Sequence, residues 1–349
     1  MTQEESQESA IRFQRRPFLL VLLIASIVVF VVSLSMGPSW IPPVRVVELL
    51  VGVFGSQRSS ESIALILFEI RLPRVLAGAI VGAALSTAGV AFQGIFRNSM
   101  ADPYVIGVSS GAAVGAAFAI VIGTGFGIPV LGDIPLLAFL GALLTIFAVY
   151  NVARAGPRVP VTTLLLSGIA FSIFLSAIVA LLEVFAGWEL HTLVFWLMGG
   201  FSYVELKDVW AIGIPVSASI LVIYVYARDL NILQLGEEEA RHLGVETEKT
   251  KRILIVAGSL ATACAVSVSG IIGFVGLIIP HITRLIVGPD HRVLIPASML
   301  SGAIFIMLCD TLARIALAPI DLPVGIVTAL CGGPFFMYLL KKKKGGYEV

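Results

Sequence analysis

Charge is scarce in this sequence. Asp, Glu, Lys and Arg make up 13% of the 349 residues, against 58% apolar residues. A soluble surface needs roughly 25–35% charged residues to stay free of apolar patches. The deficit excludes an ordinary soluble enzyme and a disordered chain. A net charge of +1 leaves no basic footprint for nucleic acid. Cysteine is nearly absent as well. Cys264, Cys309 and Cys331 each sit inside an apolar run and show no CxxC spacing, which excludes a disulfide framework and a zinc site. No Gly-Lys dipeptide occurs, so the chain carries no GxxxxGK[ST] phosphate loop, and any ATP is hydrolysed by another chain. No HExxH occurs either, and no cluster of His, Cys and Met suggests a bound metal ion.

What fills the space is hydrocarbon. A membrane helix needs about 20 mostly apolar residues. Ten runs qualify: Phe18–Met36, Val75–Phe96, Tyr104–Ile122, Ile134–Val152, Thr162–Phe185, Val209–Ala227, Ile253–Ile272, Phe274–Val287, Val293–Leu312 and Leu322–Leu340. The expected fold is all-α, with residues 18–340 forming one ten-helix membrane domain. Residues 1–17 and 341–349 are then tails. Placing both termini in the cytoplasm puts 17 of the 23 Lys and Arg residues inside, as the positive-inside bias requires. The six outside are Arg45, Arg58, Arg71, Arg74, Lys207 and Arg314.

Small residues recur at helical spacing: Gly78, Gly82 and Ser86, then Gly107, Gly111, Gly115, Ala119 and Gly123. Helices in lipid associate by close backbone approach, which such rows permit. Gly107-Val-Ser-Ser-Gly111 matches the GxSxG nucleophile pattern but opens a helix instead of following a strand, so helix packing is its expected role. Charges inside or at the edge of spans are few: Glu183, Arg284, Asp310 and Arg314. The last two are spaced for a local ion pair. Asp310 is also the one fair midplane carboxylate for an ion-coupled carrier, the alternative class of transporter. The segment 228–252 is the single long polar link. Glu237 to Glu239 favour a helix start and Gly244 a stop, predicting a short amphipathic docking helix with Leu235, Ala240, Leu243 and Val245 as its apolar positions.

A series of motifs then follows in order: Arg71-Leu-Pro-Arg74, Gly82-Ala-Ala-Leu85, Gln93, Phe96-Arg-Asn98, Asp102-Pro103, Gly107 to Gly111, Trp196 to Phe201, Leu235-Gly236, Ala240 to Gly244, Gly270 to His281, Asp290-His-Arg292 and Leu322-Pro-Val-Gly325. Together they resemble the permease family of ABC importers for iron–siderophores, haem and cobalamin. The resemblance implies a type II importer permease in the cytoplasmic (inner) membrane, working as a homodimer. Its implied partners are two ATPase subunits that use ATP-Mg, a periplasmic or lipid-anchored substrate-binding protein and a metal-chelate substrate, ferric siderophore before cobalamin or haem. It implies no cofactor or metal held by this chain, and no catalytic residue. Arg71, Arg74 and Arg314 would dock carboxylates of the binding protein. Leu235, Gly236, Ala240, Arg241, Leu243 and Gly244 would meet the ATPase. The cytoplasmic gate would fall on Asn98, Met100, Val161 and Thr162, where Val161 departs from the small hydroxyl residues of the family's best-known member.

Overall fold

Long apolar runs fold as helices because a helix satisfies its own backbone where no water is available. The computed structural model describes residues 3–52, 62–124, 133–156 and 159–344. Arg58 and Arg158, both counted for orientation, and tail residues 345–349 lie outside this range. Among the described residues seven helices are long and apolar enough to cross a membrane. They are the Pro17–Ser35 part of α1 (Gln3–Ser35), the continuous run from α3 (Ser62–Leu65) through α4 (Leu72–Ile95), α6 (Ile134–Ala153), α7 (Val161–Phe185), α9 (Leu206–Val225), α12 (Thr247–Ser269) and α14 (His291–Ala316). Three shorter apolar helices complete the set: α5 (Val108–Phe118) with its π-helical extension Ala119–Thr124, α13 (Val275–Val287) and α15 (Val324–Lys344). These elements match the ten expected spans in order. Short helices fill the links: α2 (Pro43–Gly52), α8 (Leu190–Leu197), α10 (Ala227–Leu233) and α11 (Glu237–His242).

The second span departs most from expectation. It begins at Ser62, not Val75, and carries Arg71 and Arg74 within the helix. A π-helical turn, Ile66–Arg71, sits just before Pro73. Proline has no N–H to donate and crowds the carbonyl four residues earlier. The wider turn accommodates this, with Leu72 N–H donating to the Leu67 carbonyl.

α4 is the hub, packed along its length between α14 and α12. Its apolar window is 78% buried, against 22% for α7, so α4 is interior while most of α7 faces outward. The small-residue rows explain the approach. A Cβ on Gly82 would collide with the Gly302 carbonyl, and one on Gly302 with the Gly82 carbonyl. Gly111 and Gly115 meet α6 in the same way at Gly141 and Leu137. Gly107, with φ of 83°, joins the 3-10 turn Pro103–Ile106 to α5, so the GxSxG match serves helix packing.

Buried polar side chains repair the backbone where helices are irregular. Pro280 lies inside α13 and leaves the Gly276 carbonyl without its usual donor. Gln93 of α4, 2% exposed, supplies one: its Nε2 lies 3.4 Å from the Gly276 carbonyl and 3.1 Å from that of Leu277.

Candidate functional site

Polar chemistry concentrates at the two ends of the bundle. The first cluster gathers the three expected docking arginines and holds them buried. Arg71, Arg74 and Arg314 are each 5% exposed or less. An arginine is tolerated there only if its charge and donors are met. Arg74 Nε donates to Asp310 Oδ1 at 2.8 Å and Nη1 to Asp321 Oδ2 at 2.7 Å. Arg314 Nε lies 3.1 Å from Asp310 Oδ2, the expected i,i+4 pair. Both carboxylate oxygens of Asp310 therefore face guanidinium groups, an ion-network arrangement that gives no support to a carrier role.

Arg71 and Arg314 also do something no pattern announced. The last turn of any helix leaves carbonyls without donors, and the last turn of α1 has no basic residue of its own. Arg71 Nη1 donates to the carbonyls of Leu34 and Ser35 at 2.7 and 2.9 Å, and its Nη2 to Ser39. Arg314 Nη2 donates to the Ser33 carbonyl at 2.9 Å and Nη1 to that of Met36 at 3.3 Å. Two foreign arginines thus cap α1 and pin it to α4 and α14. The outermost member of the cluster is Asp321, whose side chain is 41% exposed. It was missed because its partner lies 247 residues away in sequence.

Three glycine motifs meet in the packed interior. Gly200 N–H donates to the Ser269 carbonyl at 2.7 Å, and Gly325 N–H to the Gly199 carbonyl at 3.3 Å. Tyr104 Oη donates to the Ile272 carbonyl at 3.0 Å. A side chain at Gly270 would strike the Trp196 carbonyl, and one at Gly325 the Met198 carbonyl. Irregular backbone at such depth is found only where it is buried in protein or lines a cavity.

The opposite end carries the 228–252 segment. The expected docking helix is present as α11, opened by Gly236 (φ 133°) and closed by Gly244 (φ 85°). The six expected coupling residues divide into two sets. Leu235, Arg241, Leu243 and Gly244 are exposed, whereas Gly236 and Ala240 are buried. Leu235 and Leu243 are each 61% exposed, two apolar knobs flanking a polar helix. Ala240 is fully buried against Leu233 and Val245 and anchors the helix to the segment around it. Shallow depressions of about 470 and 340 Å³ border α11, lined among others by Arg241, Glu246 and Arg252 in one and by Asp229, Leu243 and Lys249 in the other.

Side chains that were not singled out from sequence anchor this segment. Gln234 Nε2 donates to the Gly94 carbonyl at the end of α4, at 3.0 Å. Asn231 Nδ2 donates to Asp290 Oδ1 at 2.8 Å, and its Oδ1 accepts from His291 N–H at 2.9 Å. This contact explains the Asp290-His-Arg292 motif. Of the expected gate residues, Asn98 and Met100 follow the end of α4, with Asn98 N–H donating to the Gln93 carbonyl. Asn98 Oδ1 accepts from Met100 N–H at 2.9 Å, and Val161 and Thr162 open α7 behind Pro160. Among the described residues no hydrogen bond joins the Asn98–Met100 pair to the Val161–Thr162 pair. Close to the first pair, burial pushes the Asp102 carboxyl up to about 6, although it accepts from Tyr104 N–H at 2.8 Å.

The FecCD transport family matches residues 22–342. The chain belongs to that family. A cobalamin import system permease protein of Halobacterium salinarum is 48% identical over 284 residues, covering 81% of this chain and 75% of the relative. An iron chelatin transport system permease protein of Helicobacter pylori is 39% identical over 285 residues, covering 81% of this chain and 85% of the relative. A solved structure assigned to a metal-chelate type ABC transporter in an inward-facing conformation is 34% identical. It superposes with a TM-score of 0.80 over 94% of this chain and 99% of that one. The FecCD chain described here is accordingly an all-helical, multi-pass ABC permease.

Proposed function

We propose that two copies of this chain form the membrane path of an ATP-driven importer of metal chelates. The exposed Leu235 and Leu243 on either side of α11 carry this reading. Two leucines held in water at the ends of a rigid polar helix suit a groove on a soluble partner, here one of two separate ATPase subunits that bind and hydrolyse ATP-Mg. The chain itself holds no catalytic group and no cofactor in this reading. The charge bias puts α11 in the cytoplasm together with both termini, in a cytoplasmic or inner membrane. Asn98, Met100, Val161 and Thr162 then close the cytoplasmic end of the path.

The arginine end faces an external binding protein. Its carboxylates have to compete with Asp321 for Arg74, since the guanidinium groups are already paired. The cargo expected from the family is a ferric siderophore. The name of the Halobacterium relative favours cobalamin as the second reading.

Reconstitution in liposomes with the partner ATPase and the binding protein tests the proposal. Uptake of a ferric siderophore or cobalamin should require ATP and stop with vanadate. Uptake driven by a proton or sodium gradient without the ATPase would overturn it in favour of an ion-coupled carrier.

A further inference from the structure

The base of α12 holds a buried cation. The Lys251 side chain is 5% exposed, and a lysine is buried at that level only when its charge is paired. Its Nζ lies 2.9 Å from Glu237 Oε1 on α11 and 2.8 Å from Glu248 Oε1 on its own helix. The other oxygen of Glu248, Oε2, accepts from the Val159 backbone N–H at 3.2 Å. Val159 is itself buried, and the next residue, Pro160, is the N-cap of α7. Four groups therefore stand in one line: the docking helix, Lys251, Glu248 and the residue that leads into α7. Among the described residues no other hydrogen bond or ion pair joins the 228–252 segment to the link before α7.

The parts suit the transmission of movement. Glu237 sits in the first turn of α11, so a partner that shifts this helix shifts a charge bonded to Lys251. Pro160 has a fixed φ and no N–H, so motion of Val159 passes to Val161 with little slack. Stability alone is a poor reason for the arrangement. A buried ion pair is often no more stable than apolar residues of similar volume, and its best-attested use is to fix a geometry or a switch. A contiguous chain of polar contacts is a physical route for coupling when the elements it joins have two positions.

We propose that Lys251 and Glu248 are positioning residues that carry displacement of α11 to the start of α7, making the opening of Val161 and Thr162 depend on the ATPase. This proposal rests on the reading of α11 as the ATPase contact. Neither residue needs to touch the chelate or ATP.

The test uses the complete transporter in liposomes, with chelate uptake and ATP hydrolysis measured together. Lys251→Met and Glu248→Gln should keep ATPase subunits bound and hydrolysing, while uptake per ATP falls on the order of tenfold. Lys251→Arg, which keeps the charge, should recover most of it. The double variant Lys251→Met/Glu248→Gln should be no worse than the worse single variant, because both break one chain. A spectroscopic label at Thr162 should lose its response to ATP in both single variants, a readout that a merely structural role would not move. If Lys251→Met fails to fold, Glu248→Gln, which keeps the shape, carries the test. Uptake per ATP within about twofold of wild type in a folded variant, or simple additivity in the double, overturns the relay. The parent reading fails separately. Ala240→Pro removes the N–H that donates to the Gly236 carbonyl at 3.0 Å and should break α11 and release the ATPase. If the ATPase stays bound to that variant, α11 is not the docking element. If it is released while Lys251→Met keeps full uptake per ATP, only the relay falls.

Discussion

Replacing Asp310 with Asn separates a structural cluster from a transport group. The Asp310 side chain is 1% exposed and touches two buried guanidinium groups. Asn keeps the shape and one acceptor but removes the negative charge. Arg74 retains Asp321, which is 41% exposed, and an exposed partner contributes only about 0–1 kcal/mol. Arg314 retains just the α1 carbonyls and Thr311 Oγ1. Removing one partner of a buried pair costs about 3–5 kcal/mol, and that is the expected loss here. Reversible unfolding in mixed detergent micelles reads it directly. Replacing the triad with apolar residues of similar volume, Arg74→Met, Asp310→Leu and Arg314→Met together, should restore part of the loss, because none of the three charges is then left unpaired, although the end of α1 loses the donors of Arg314. The reasoning is refuted if Asp310→Asn unfolds within about 0.5 kcal/mol of wild type. If that variant is stable yet loses uptake, Asp310 belongs to the transport chemistry and the ion-coupled class returns.

Three further outcomes follow from other parts of the molecule. Gly302→Val drives a side chain into the Gly82 carbonyl and the Ser86 side chain, and overpacking of about 1–3 kcal/mol should lower the thermal midpoint, while Gly333→Ala, with open space at its Cβ, should leave it nearly unchanged. Asp321→Asn removes the competitor for Arg74 and should tighten binding-protein docking several-fold in a surface-capture assay; unchanged or weaker docking counts against competition at Arg74. For Asp102, the folded carboxyl titrates near 6 against an ordinary 3.8, so the native state holds the proton more tightly. The stabilising contribution is complete below about 3.8 and is lost as pH rises through 6, amounting to at most about 3 kcal/mol, less because the side chain is only half-buried. Asp102→Asn should flatten the fall in stability between pH 4.5 and 7, and equal slopes for both proteins would sink the assignment.

The spans were legible because apolar length is a property of each segment alone. The short helix α11 was legible for the same reason, since its glycine stops and acidic first turn are local. Pairings between distant residues were not. Arg74 reads as an outside cation when its partners, Asp310 and Asp321, lie more than 200 residues along the chain. A hydropathy scan therefore starts the second span too late, at Val75, because it scores a paired arginine as if it were bare. Lys251 and Asn231 were invisible for a related reason: each gains meaning only from the element packed against it. Gln93 was noticed through resemblance, but its role as a donor needed the position of Pro280 on another helix. The division of the expected coupling set was not legible either, because burial is a property of the packed segment: Gly236 and Ala240 face inward, and Leu235, Arg241, Leu243 and Gly244 are exposed.

The capping of α1 by Arg314 has a consequence for biosynthesis. Ser33 and Arg314 are separated by 281 residues, so the first helix enters the membrane long before its final cap is made. A chain halted anywhere before α14 leaves the end of α1 with donors missing, even though α1 itself is complete. Closure of that end therefore reports that the chain has been synthesised and packed through α14, and a chain truncated before it exposes its incompleteness at a helix made long before.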